Sequence, residues 1–188
     1  MEHTTTTILL PADHLVHDSL LQQRRVFLWG QVDEDSSKKI IAQMIYLDAL
    51  QPGEPINMYI NSPGGMVTAG YAIYDTMQAV SSPVYTYCIG FAASMGAILL
   101  AGGHRGNRYI YPNAEVMIHQ PSTGGFQGNY ADIEINARQI VKTRNQSATL
   151  LAANCGTSRE KILKDFDRDF WMNADEAITY GIVDALVP

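Results

Sequence analysis

From residue 26 onward the chain alternates short runs of β-branched and aromatic residues with longer runs of helical period, and this alternation narrows the folds open to it. Val26 to Trp29 reads as a strand. Ser36 to Leu50 reads as a helix, with Ile40, Ile41, Met44, Ile45 and Leu47 at helical spacing and Gln51-Pro52-Gly53 to end it. Strand Ile56 to Ile60, helix Val67 to Val80, strand Val84 to Cys88 and a short apolar helix from Ala97 to Ala101 follow. Such a series predicts an α/β fold of parallel βαβ units with right-handed crossovers. A chain of 188 residues with 46% apolar content is expected to build one domain around a sizeable core. That domain is expected over 25–188. Residues 1–24 are polar and weakly periodic, and are expected to form a mobile arm.

Charge and composition exclude several classes. A net charge of −6 argues against nucleic acid or an anionic membrane as the main partner. The longest apolar stretch, near Ala97 to Ala101, is far too short to span a bilayer. Met1-Glu2-His3 and the following threonines supply neither a basic nor an apolar region of the secretory kind, so no signal peptide is expected. Cys88 and Cys155 have no motif spacing; no disulfide or metal site is expected, which suits a reducing, cytoplasmic setting. The phosphate-binding pattern G-x-x-x-x-G-K-[ST] is absent.

The chemistry is concentrated in three segments. Gly90 to Ala97 places one hydroxyl, Ser94, among residues with almost no side chain, where a strand gives way to a helix. A helix start favours developing negative charge, and small neighbours let a substrate backbone approach. Position alone also allows Ser94 to be a simple N-cap. Met117-Ile118-His119-Gln120-Pro121 ends an apolar strand in a histidine, which is a base near neutral pH. His3, His14 and His17 lie in the polar arm, and His104 in a glycine-rich loop. Asn61-Ser62-Pro63-Gly64-Gly65 ends a strand in a turn whose glycines suit close approach to a ligand and N–H groups aimed at an anion. Ser94 and His119 thus read as nucleophile and general base, with an acid to orient the imidazole. Asp165, Asp167, Asp169, Asp175 and Asp184 all qualify. The G-x-S-x-G elbow of the α/β-hydrolases is missing.

Residues 129–154 carry a long helical pattern of about 40 Å, with Ile133, Ala137, Ile140, Ala148 and Leu151 along one face, Arg144 interrupting it, and Gly156 closing it. A helix this long in so short a chain is expected to project and pack on a second copy. Thr157-Ser158-Arg159-Glu160 and Asn173-Ala174-Asp175-Glu176 both read as capping boxes, the second opening a helix that Gly181 stops.

The three chemical segments resemble the signature segments of ClpP, the family of proteolytic subunits of Clp proteases. The resemblance extends from about Val26 to Val187 and includes Gly30-Gln31-Val32, Ile41-Ala42-Gln43-Met44, Ile73-Tyr74-Asp75-Thr76-Met77, Asp132-Ile133-Glu134-Ile135, Asp167-Arg168-Asp169 and Tyr180-Gly181-Ile182-Val183-Asp184. It implies a crotonase-like head of stacked sheets and helices, a handle helix over about 124–156, and two stacked seven-membered rings of this chain. It also implies a Ser-His-Asp endopeptidase acting on unfolded proteins, with Asp169 as the acid. By the same resemblance, the N–H groups of Gly65 and Met95 form the oxyanion hole. Gly124, Gly125, Phe126 and Gln127 form the strand that pairs with a peptide, and Asp167 and Arg168 make the ring-to-ring contact. No cofactor is expected on this chain; ATP would be used by a partner unfoldase of the Clp AAA+ type. Leu15-Val16-His17-Asp18-Ser19-Leu20-Leu21 departs from the family's aromatic-Asp-aromatic-Ser-Arg-Leu-Leu segment. This keeps open a weakly active ring subunit completed by a second ClpP paralogue. A crotonase-like acyl-CoA enzyme is the other alternative.

Overall fold

The computed structural model describes residues 12–122, 124–125 and 127–188. Its elements run α1 (Ala12–Gln22), β1 (Arg25–Trp29), α2 (Glu34–Leu50), β2 (Ile56–Ser62), α3 (Val67–Ala79), β3 (Val84–Ala93), α4 (Met95–Ala101), β4 (Arg108–Ile110), β5 (Glu115–Ile118), α5 (Tyr130–Cys155), α6 (Arg159–Asp165), β6 (Phe170–Met172), α7 (Ala174–Tyr180) and β7 (Ala185–Leu186). The α/β fold expected from the alternation is present. Strands β1-β2-β3-β4-β7 lie side by side, all parallel, and β5 and β6 branch from β3 to complete a mixed seven-stranded sheet.

Alternation along the strands builds the core. Ile56, Met58, Ile60 and Ser62 of β2 and Val84, Thr86 and Cys88 of β3 face inward. They meet Ile40, Met44 and Leu47 of α2 and Ile73 and Met77 of α3. Each such aliphatic side chain contributes about 2 kcal/mol by leaving water. The opposite face carries a stack of rings across four strands, Phe27–Tyr59–Tyr87–Tyr109, with centroids 5.2, 4.8 and 5.1 Å apart. All seven residues of α4 are buried.

β3 is the element that positions the site, and it is longer than its sequence pattern suggests. The predicted strand ends at Cys88, but Gly90, at φ 74, bends the backbone and lets the strand continue to Ala93. A side chain is disfavoured at such a φ, and a Cβ there would also press on the Asn61 amide at 3.2 Å. The first half of β3 pairs with β4 through residues 86–88; the second half pairs with β5 through residues 91–93.

Three local expectations change. Residues 12–22 form a helix rather than an arm: Leu21 packs against the core, and His17 Nε2 sits 3.1 Å from the Gln43 amide on α2. Residues 1–11 of the expected arm lie outside the described residues. α2 starts two residues before Ser36, because Asp33 is its N-cap and Ser36 the returning member of a capping box. At α6 the N-cap is Ser158, and the third helical residue is Lys161, which has no carboxylate to return the bond; the expected box is a single cap. The box Asn173–Glu176, the αL caps Gly156 and Gly181, and the length of α5 agree with the sequence pattern.

α5 is two different helices in one. Ser147, Ala148, Leu151 and Ala152 are buried in the domain. The preceding four turns expose Tyr130 (81%), Ile135 (62%) and Val141 (55%). Among the described residues no helix is long and apolar enough to cross a membrane.

Candidate active site

The branch of the sheet lines up three side chains. In the parallel β3–β5 ladder Ala93 lies opposite Met117, and the next N–H, that of Ser94, donates to Met117 O at 2.8 Å. In the antiparallel β5–β6 ladder Ile118 lies opposite Phe170, so the residues flanking that pair, His119 and Asp169, also face each other. β5 therefore carries His119 between Ser94 on one neighbour and Asp169 on the other. His119 Nε2 is 2.9 Å from Ser94 Oγ, and Nδ1 is 3.2 Å from Asp169 Oδ1. With the carboxylate able only to accept, Nδ1–H donates to Asp169 and Nε2 is left to accept from the serine hydroxyl.

Ser94 stands at the N-cap position of α4, but its hydroxyl makes no cap bond. Its backbone is at φ 56, ψ −119, a conformation that costs a non-glycine residue about 1–3 kcal/mol. The packing around it enforces that strain. Met95 is buried against α3 so closely that a Cβ on Gly70 would come within 2.1 Å of its Cγ. The Pro-Gly-Gly turn closes over the same point. Gly64, at φ 86, has no room for a side chain: a Cβ would lie 2.7 Å from Ser94 Cβ and 2.8 Å from Met95 N. The fully buried Ser62 holds the turn by accepting from Gly64 N at 3.0 Å. On the far side, Val32 N donates to Gly64 O at 2.9 Å and Met66 N donates to Val32 O at 2.7 Å.

A sequence model of the family described as Clp protease matches residues 12–188. The chain belongs to the Clp protease family. The family is one of serine peptidases whose members generally form rings and work with AAA+ unfoldases.

Within this Clp protease Asp165, Asp184 and Asp167 have hydrogen-bond partners other than His119. Asp165 accepts from Lys161 and from the Tyr180 hydroxyl. Asp184 is held by Arg108 Nε at 2.9 Å and by the N–H groups of Gly106 and Arg108. Asp175 lies in the first turn of α7. Asp167 is exposed and accepts from the Gln120 amide at 3.2 Å. Arg168 is exposed beside it. Neither thiol is poised for nucleophilic chemistry: burial pushes Cys88 up to about 12 and Cys155 up to about 11, far from the thiolate form.

The described residues of the segment expected to pair with a peptide are open to solvent. Gly124, Gly125 and Gln127 are exposed and lie outside any strand, while Phe126 lies outside the described residues. A glycine-rich run has little intrinsic strand preference and needs a neighbouring strand to adopt one. The helix of the expected handle begins only at Tyr130, capped by the Asn129 side chain.

Sequence reasoning gave no role to Ser62, Gln120 or Arg144. Ser62 and Gln120 were visible as members of the motifs. Arg144 was visible as a charge on an otherwise apolar stripe.

Proposed function

We propose that this chain is the proteolytic subunit of an ATP-dependent Clp protease, a serine endopeptidase that cuts unfolded polypeptides into short peptides within a chamber. The observation that carries the reading is the continuous hydrogen-bonded series Ser94–His119–Asp169. Ser94 Oγ attacks the scissile carbonyl carbon while His119 Nε2 takes its proton. Asp169 holds the imidazole in the correct tautomer and balances the imidazolium charge. The tetrahedral intermediate collapses as His119 returns the proton to the leaving amine, and water then releases the acyl group by the same route.

Gly65 and Met95 N–H groups are the oxyanion donors in this reading. Gly64 O and Met66 N are both engaged by Val32 across the bridge that Val32 makes with Gly65, so the turn that carries the Gly65 N–H is held in place beside Ser94. Met95 is the first residue of α4, so its N–H has no carbonyl within the helix to bond. Each such donor is worth about 3 kcal/mol of transition-state stabilisation. Gly124, Gly125, Phe126 and Gln127 add a strand to the bound peptide, so main-chain bonds supply affinity with broad sequence tolerance.

The exposed apolar half of α5 is the handle between two stacked seven-membered rings, with Asp167 and Arg168 at the ring contact. A Clp-type AAA+ unfoldase supplies ATP hydrolysis and feeds substrate. A cytoplasmic location suits two unpaired cysteines.

Treating the purified chain with a fluorophosphonate, mapping the adduct and assaying a fluorogenic peptide tests the reading. Ser94 is expected to carry the label and Ser94→Ala to lose both label and cleavage. Intact, folded protein that leaves Ser94 unlabelled would favour the acyl-CoA alternative instead. Full cleavage by Ser94→Ala would end the peptidase reading.

A further inference from the structure

The nucleophile is locked by the core, but Asp169 is not: 64% of its side-chain surface is exposed, and it reaches His119 only at 3.2 Å. The β5–β6 ladder pins the neighbouring Phe170 to Ile118, and a second set of contacts holds the segment 166–169 against the end of β5. The contacts that do so radiate from Gln120. Its N–H donates to Phe166 O at 2.6 Å. Its side-chain Nε2 donates to Asp167 O at 2.9 Å and to Asp167 Oδ1 at 3.2 Å. Its Oε1 accepts from Arg144 Nε at 3.0 Å. Gln120 follows His119 directly, and Asp167 stands two residues before Asp169.

Arg144 decides how the amide lies. A glutamine amide fits a pocket either way round, but a guanidinium can only donate. It therefore selects the orientation with Oε1 toward α5 and Nε2 toward Asp167. The guanidinium is itself placed by the fully buried Phe166, whose ring centroid is 5.7 Å from its central carbon, and by Leu163 O at 3.5 Å. The clamp thus joins α5, the strand carrying the base and the segment carrying the acid.

We propose that Arg144 and Gln120 are positioning residues that set the His119–Asp169 contact. This inference rests on the peptidase reading above. A shift of the acid by a fraction of an ångström weakens orientation of the imidazole without touching substrate, so the loss falls on kcat rather than KM.

The test uses the assembled full chain, with active sites counted by fluorophosphonate labelling. Arg144→Met keeps the length that packs on Phe166 but removes the donor; kcat per labelled site is expected to fall about tenfold with KM unchanged. Gln120→Glu keeps the acceptor for Arg144, forfeits the donor to Asp167 and faces its carboxylate, and is expected to lose more. Arg144→Lys, which can still donate and stack, is expected to recover much of the loss. The decisive comparison is the double variant Arg144→Met with Asp169→Asn. If the clamp acts through Asp169, the double variant is no slower than Asp169→Asn alone. Unchanged kcat per site in Arg144→Met and Gln120→Glu overturns the clamp while leaving the peptidase intact, as does a loss that multiplies with that of Asp169→Asn. If wild-type Ser94 takes no label, the peptidase reading and the clamp fall together.

Discussion

The two ends of the Ser94–His119–Asp169 series are built by opposite means. Ser94 sits in a strained backbone conformation that apolar packing enforces: α4 is wholly buried, Met95 fills the space over Gly70, and the Gly64 turn closes from the other side. Asp169 sits on an exposed segment held by directional polar contacts from one strand end and one helix. Core packing is stiff and does not relax by small steps, so it suits a residue held in a costly backbone geometry. A polar clamp on the surface is weaker and can respond to its surroundings. The difference predicts that stability and rate respond separately at the two ends.

The largest expected effect on rate comes from the exposed end. Asp169→Asn should lower kcat about ten-thousand-fold, because an amide favours the wrong imidazole tautomer. Its thermal midpoint should hardly move, since an exposed carboxylate contributes little to folding, within about 0.5 kcal/mol. Steady-state kinetics beside a melting curve checks both; a large drop in melting temperature would break the comparison.

Gly64→Ala should move both quantities. Its Cβ meets Ser94 and backbone atoms of Ala93 and Met95 that have nowhere to go. The positive φ adds strain, so stability should fall by about 1–3 kcal/mol. The displaced nucleophile should lower kcat about a hundredfold. Retained activity with a lowered midpoint would show that the turn supports the fold and not Ser94.

A change remote from both ends should move stability alone. Asp184→Asn leaves the buried Arg108 guanidinium without its countercharge; unfolding free energy should drop by about 3 kcal/mol, with kcat per labelled site unchanged.

The smallest effect is the pH dependence of that same pair. Burial pushes the Asp184 carboxyl upward, but the hydrogen bonds and charge of Arg108, with the Gly106 and Arg108 N–H groups, outweigh it and hold it below the ordinary value. A depressed folded value means the ionised group stabilises fully above the unfolded value of about 3.9 and loses this as pH falls through the folded one. The gap in melting temperature between wild type and Asp184→Asn should therefore narrow below about pH 4. A gap that widens on acidification would show that the contact is not electrostatic.

Much of this molecule was legible in the chain because the signals are local. The strand and helix periods from Val26 to Ala101, the Asn173–Glu176 box and the glycine caps of α5 and α7 follow from residues a few positions apart. So do the candidates Ser94 and His119, marked by small neighbours and an apolar strand end. The caps that start α2 and α6 were local signals read wrongly; the larger missed features depend on a distant segment. The helix of residues 12–22 is held by Leu21 against the core and by Gln43 on α2, neither visible in its own weak pattern. The continuation of β3 past Gly90 exists because β5 is there to pair with it. Composition alone could not choose among five downstream aspartates. The family resemblance pointed to Asp169, and strand adjacency sets β6 beside β5 in antiparallel register so that His119 faces that residue, while Arg108, Lys161 and Tyr180 engage Asp184 and Asp165. Sequence by itself determined which residues could do the chemistry, since that depends on side-chain type and local backbone. Only tertiary structure decided which of them meet, because hydrogen bonds act over about 3 Å and that proximity comes from which strands the sheet places side by side.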